Sequence, residues 1–271
     1  MNAPPNKSRT RHRGSARRGI YALVFLCLSL FLPRAYAVEP LVVLDMAGEP
    51  DTPTGESMAA WFKRHSESWE VKFGAPTYFS IQGGSMHLVA RPGPSSKSIW
   101  LWKLLKREDK VLLRVTPNGF RVHPAERHHI EVVMAPLRLP GKGADVTDSD
   151  RNDACFYLLL SFDGPRHSFH GQKVADTLSY VWSDGAWKSG DIVGKERKYG
   201  EFMRHIALGR GEDRPGELRT LTRDIEADFR LAYPERAAAG VPDVVEVGLM
   251  VDSNTVNSEA ESLIRSLRFL P

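Results

Sequence analysis

The stretch Cys155-Phe156-Tyr157-Leu158-Leu159-Leu160-Ser161-Phe162 decides the fold. It is apolar nearly throughout and carries three aromatic rings. The polar pair Asn152-Asp153 precedes it and the breakers Asp163-Gly164-Pro165 follow it. A run this short between turn residues predicts a central β-strand buried on both faces. Similar segments lie on either side: Leu41–Met46, Trp69–Phe73, Tyr78–Gln82, Met86–Ala90 and Ile130–Leu139 before it, then Leu178–Trp182, Phe202–Leu208, Val244–Val251 and Leu263–Leu270. Most are short and rich in Val, Ile, Phe, Tyr or Trp, the residues that suit a pleated surface. Val245, Val247, Leu249 and Val251 share one face of their strand and Glu246 and Gly248 the other, as expected where one face packs on a core.

One segment has a different period. Between Glu217 and Tyr233, the positions Leu218, Leu221, Ile225, Phe229 and Ala232 recur at steps of three and four. That spacing predicts an amphipathic helix ended by Pro234; a shorter helix is expected near Glu56–Lys63. Together these elements predict an antiparallel, jelly-roll-like β-sandwich with one docked amphipathic helix, forming a single domain over residues 38–271.

The N-terminus reads differently. Residues 1–19 hold Lys7, Arg9, Arg11, Arg13, Arg17 and Arg18 and no acid; Ile20–Leu32 is apolar; Ala35-Tyr36-Ala37 follows. A basic head, a short apolar middle and an A-x-A tail predict a signal peptide cleaved after Ala37, and hence a periplasmic or secreted protein. The apolar run falls short of the roughly 20 residues a spanning helix needs, so no membrane span is expected after cleavage. Arg17-Arg18 alone is a weak mark of twin-arginine export, and the general secretory route is preferred.

Removing the leader changes the charge. The chain has 37 Lys and Arg against 33 Asp and Glu, but seven of the basic residues and none of the acids precede Val38. The remainder stands at 30 against 33, a formal charge of −3, so the high whole-chain pI is no argument for nucleic acid. Of two cysteines only Cys155 follows the leader, so the core must hold the domain without an internal disulfide.

Ordered landmarks run through the later part of the chain: Leu137-Arg138-Leu139-Pro140-Gly141-Lys142-Gly143-Ala144-Asp145, Asp153, Phe156–Phe162, Leu178-Ser179-Tyr180-Val181-Trp182, Arg223 before Asp228-Phe229, and Asp252-Ser253-Asn254-Thr255. In this order they resemble the domain of unknown function 3047 family, bacterial exported proteins with no established activity, over roughly Leu41 to Phe269. The resemblance implies an exported β-sandwich and supplies no reaction.

No G-x-S-x-G elbow or S-x-x-K occurs, and Gly83-Gly84-Ser85 reads as a turn between strands. His167 and His170 are expected in a loop. Trp100, Trp102, Tyr180, Trp182 and Trp187 are candidates for stacking on sugar rings; Tyr180 and Trp182 share a row with Leu178 that also suits a core, so Trp187 is the expected exposed member. Arg223 and Asp228, five apart on the expected helix, cannot form an i,i+4 bridge and should each reach toward the sandwich, as anchor or ligand contact. No cofactor is required. Calcium is the one ion the oxygen donors could hold, through Asp252 and Asn254, with Thr255, Asp150, Asn152 and Asp153 nearby; turn closure is the plainer use of these residues. A glycosidase pair would have to come from Glu246, Asp163, Asp184, Asp224 and Asp228.

The expectation is a ligand-binding or accessory module whose partner is a glycan or another cell-envelope component. A carboxylate-driven glycan hydrolase or lyase and a structural envelope protein are the alternatives. The secreted form should begin at Val38; an intact mass that retains residues 1–37 would overturn the export reading.

Overall fold

The computed structural model describes residues 38–52, 69–73, 79–90, 110–115, 120–141, 143–148, 151–169, 172–185, 187–193, 201–210, 216–253, 255–256 and 258–271. The early strands are β1 (Leu41–Asp45), β2 (Trp69–Phe73), β3 (Phe79–Ile81), β4 (Met86–Ala90), β5 (Lys110–Val115) and β6 (His129–Arg138). The later ones are β7 (Ala154–Phe169), β8 (Gln172–Ser183), β9 (Ile192–Val193), β10 (Met203–Arg210), β11 (Arg219–Asp224), β12 (Val244–Asp252) and β13 (Ala260–Leu270). Helices α1 (Ile225–Ala232) and α2 (Pro234–Ala237) separate β11 from β12. No described helix is long and apolar enough to cross a membrane. The expected helix near Glu56–Lys63 lies outside the described residues.

The strands form two sheets. One runs β11-β6-β13-β4-β3, with β1 also pairing β13; the other runs β2-β5-β12-β7-β8-β10-β9. The fold is a β-sandwich, as the alternation predicts. One pairing departs from the antiparallel expectation: β10 lies parallel to β8. The chain leaves β8, forms β9 antiparallel to β10 on its far edge, and returns, so β8 and β10 need no hairpin between them.

Between the sheets the core draws Phe156, Leu158, Leu160 and Phe162 from β7, Leu178, Tyr180 and Trp182 from β8, and Ile264, Leu267 and Phe269 from β13. Each large side chain removed from water contributes about 1.5–3 kcal/mol. The opposite face of β7 is covered as well: Tyr157 packs with Val146, Ala154, Val181, Val193 and Met250. The two-sided burial read from CFYLLLSF is what the structure holds.

Bulges correct the simple period. In β13 Ala260, Ser262 and Ile264 are buried, the register shifts before Ser266, and Leu267 and Phe269 then face the core. In β12 a shift between Val244 and Glu246 puts Val244 into the core where Val245 was expected. In β7 a shift between Ser161 and Arg166 absorbs Asp163-Gly164-Pro165, and the strand continues to Phe169. His167 therefore lies on a strand rather than in a loop, with Nε2 2.7 Å from Asp176 Oδ1 and its ring stacked on Phe202. His170 lies outside the described residues.

The helix also starts later than its apolar spacing suggested. Residues 219–224 form β11, paired with β6 from Arg219↔Met134 to Asp224↔His129. β-Branched Thr220 and Thr222 suit that strand, and the Asp224 carboxylate accepts from Ala227 N at 2.8 Å to open the helix one residue later. Ile225, Phe229 and Ala232 form the buried stripe, with Phe229 4.6 Å from Phe162 between ring centroids. At the helix end, the Tyr233 hydroxyl lies 2.9 Å from the carbonyls of both Thr177 and Phe202. Arg204 and Arg236 each stand 5.0 Å from its ring, and Arg236 pairs with buried Asp176.

Phe229→Ala should cost about 3–5 kcal/mol, the usual range for emptying an aromatic site. Urea denaturation measures it; an unchanged midpoint would mean that the stripe does not anchor the helix.

Candidate functional site

Of the aromatic candidates, Tyr180, Trp182 and Trp187 separate onto the two faces of the seven-stranded sheet; Trp100 and Trp102 lie outside the described residues. Tyr180 and Trp182 point between the sheets and are fully buried. Trp182 packs against Gly209, where a Cβ would come within 2.5 Å of the ring, and the Arg219 guanidinium stands 5.1 Å from its centroid. A sugar ring needs an exposed aromatic face, so the platform expectation is corrected for these two: they are core.

Arg223 and Asp228 meet beside them. Because Arg223 ends a strand and Asp228 sits in the first turn of α1, the helical argument against a bridge does not apply. Arg223 Nε donates to Asp228 Oδ2 at 2.9 Å and Nη2 to Oδ1, a two-pronged ion pair. The helix N-terminus adds a favourable field for the carboxylate. Hydrogen bonding to Asp228 raises the Arg223 pKa against the opposing effect of burial. Burial, and then the Asp228 charge, holds the Tyr180 phenol well above its ordinary range. Arg223 also sits against Gly190: a Cβ there would stand 3.3 Å from Nη1.

Trp187 is on the opposite face. It is half-buried against the outer cluster and folds over Gly185, where a Cβ would come within 1.8 Å of the ring. Strand register assembles polar rows on this outer face. Glu246, Ser161, Thr177 and Met203 stand opposite one another across β12, β7, β8 and β10; next to them run Gly248, Leu159, Ser179, His205 and Val193. Ser161 Oγ and Thr177 Oγ1 are 3.2 Å apart, and the His205 ring lies 5.9 Å from that of Tyr157. Among the described residues of this face, the buried Ser179 Oγ, Ser183 Oγ and Trp187 Nε1 reach no hydrogen-bond partner; on the core side Trp182 Nε1 reaches none either. These hydroxyls were not singled out from sequence, although β8 displays them as Thr177, Ser179 and Ser183 alternating with Leu178, Tyr180 and Trp182.

The remaining candidates are committed locally. Asp153, fully buried, accepts from Thr255 N at 3.0 Å and Val256 N at 2.7 Å and so closes the turn after β12. Asp252 is buried opposite Ala154, and Asn254 lies outside the described residues. Among the described residues no three His, Cys, Asp or Glu gather as a metal site would require. Of the carboxylates considered for a glycosidase pair, Asp224 caps α1 and Asp228 grips Arg223. Asp163 shares Arg121 with Asp243 at 2.8 and 2.6 Å, and that contact lowers its pKa, the opposite of what a general acid needs.

The family described as "Protein of unknown function (DUF3047)" matches residues 138–268. Over this part the chain is similar to DUF3047. The match is narrower than the span over which the landmarks resemble the family. The DUF3047 segment contains both the Arg223–Asp228–Tyr180 cluster and all the outer-face residues named above. A search of curated proteins gives no match. Among solved structures, the Trichoderma harzianum endoglucanase 3 from family GH12 is similar at 10% identity and a TM-score of 0.33. That likeness covers 73% of this chain and 80% of the other, and no functional conclusion rests on it.

Buried Tyr180 and Tyr233, like buried Cys155, make the fold sensitive to alkali. Folded-state pKa values of Tyr180 and Tyr233 are both raised, chiefly by burial. Their contribution is whole below the unfolded-state value of about 10 and is lost as pH climbs from there toward the folded values. Melting temperature should fall above that pH, and Tyr180→Phe should flatten the fall. An equal slope in wild type and variant would show that Tyr180 ionises as readily folded as unfolded.

Proposed function

We propose that this protein is an exported binding module of the periplasm or cell surface, with carbohydrate as its ligand class. The N-terminal pattern of basic head, apolar run and Ala35-Tyr36-Ala37 supports export. One observation carries the binding reading: half-buried Trp187 stands on the outer face of the seven-stranded sheet, where the partly exposed Ser161 and Glu246 are in register.

A serine hydroxyl donates and accepts. The complement of the partly exposed Trp187 ring, Ser161 hydroxyl and Glu246 carboxylate is a partner with many hydroxyls and an apolar ring face, which is the chemistry of a saccharide. The carboxylate of Glu246 accepts from sugar hydroxyls on the same surface.

The test is titration of the protein lacking residues 1–37 with neutral and acidic oligosaccharides, followed by the fluorescence difference between wild type and Trp187→Phe. Binding should perturb the Trp187 signal, and Trp187→Ala should weaken it several-fold, the equivalent of about 0.5–1.5 kcal/mol for one stacked ring. Ser179→Ala should raise the melting temperature, because a buried unpaired hydroxyl is gone. Emission unchanged by every glycan tested would overturn the reading.

A further inference from the structure

The interior ion pair and the outer face are in mechanical contact around the sheet edge. Gly190 has φ +92°, a conformation that glycine adopts without strain, and the Arg223 guanidinium fills the space where its side chain would be, 3.3 to 3.8 Å away. The same turn is sewn to β10: Gly190 N donates to Ala207 O at 2.7 Å and Ala207 N to Asp191 O at 2.9 Å. Lys188 N donates to Asp191 Oδ2 at 2.7 Å. Trp187 immediately precedes this turn and turns back over Gly185 into the outer cluster. Arg223 is held in place by Asp228, itself fixed in the first turn of α1.

We infer that Arg223 is a positioning residue: clamped by Asp228, it braces the Trp187–Asp191 turn from inside the sandwich and so sets the pose of Trp187 on the outer face. The role rests on the outer face being a binding surface, while the brace itself exists with or without ligand. A guanidinium is suited to it because its planar fork spends two donors on the carboxylate and still presents a flat surface to the glycine. Shorter or non-planar side chains satisfy one demand or the other.

The experiment reads Trp187 first without ligand. Acrylamide quenching of the wild-type minus Trp187→Phe emission, and hydrogen exchange at the Gly190 and Ala207 amides, are compared in wild type, Arg223→Gln and Asp228→Asn. Both variants should at least double the quenching of Trp187 and speed exchange at Gly190 and Ala207, with the Leu159 and Leu249 amides unchanged. Asp228→Asn retains the arginine, so it answers the question if Arg223→Gln fails to fold. In oligosaccharide titrations Arg223→Gln should weaken binding several-fold, and in a Trp187→Ala background it should have no further effect. Wild-type quenching in both variants, or loosening spread evenly over β7 and β12, would overturn the brace. A brace confirmed in a protein that binds no oligosaccharide would sink the carbohydrate reading and leave the positioning role standing.

Discussion

A strand that is apolar on both sides must be covered on both sides, and the architecture follows from meeting that demand at β7. One face of β7 is closed by the six-stranded sheet and α1, which supply the shared core. The other is closed by Val146, Val193, Met250 and the half-buried Trp187 around Tyr157. Covering only the first face would leave Tyr157 and Val181 in water, at a cost of about 1.5–3 kcal/mol for each large side chain. The molecule is therefore a sandwich with a partial third layer, and the turn that carries Trp187 belongs to that layer.

Polar groups are distributed unequally between the two faces. Inside, charge is paired: Arg223 grips Asp228, Arg236 meets Asp176, and Arg204 donates to the Ala232 carbonyl at 2.8 Å. Such buried pairs contribute little net stability, yet losing one partner is expensive. They thus fix where α1 and α2 sit rather than how tightly the fold holds. On the outer face, polarity takes the form of hydroxyls and an indole donor.

What was legible in the sequence was the period-two chemistry. Leu41–Met46, Met86–Ala90 and Cys155–Phe162 declared themselves by residue type, and the two-sided reading of β7 needed nothing further. Phase was harder to read, because a bulge inserts one residue and flips every side chain after it; β12 and β13 each contain such a shift, and neither has a residue that announces it. The Glu217–Tyr233 segment misled for a related reason: Leu218 and Leu221 extend a helical spacing by coincidence, while Thr220, Thr222 and the capping Asp224 mark the true boundary. Tyr180, Arg223 and Asp228 do come together, around buried Tyr180 and Asp228. Ionic contacts between a strand end and a helix start depend on the boundary between them, which spacing alone does not supply. The outer-face hydroxyls were visible as alternation, though only register shows which of them stand side by side.

The tryptophan–glycine contacts constrain how this sequence can drift. Trp182 occupies the space above Gly209 and Trp187 the space above Gly185, each so close that a single methyl group has no room. Neither member of a pair can change first without harm: enlarging the glycine drives out the ring, and shrinking the ring opens a void. Descendants of this chain should therefore keep both contacts or lose each as a unit. The Trp182–Gly209 pair answers to the core and the Trp187–Gly185 pair to the surface, so the two pairs are free to diverge at different rates.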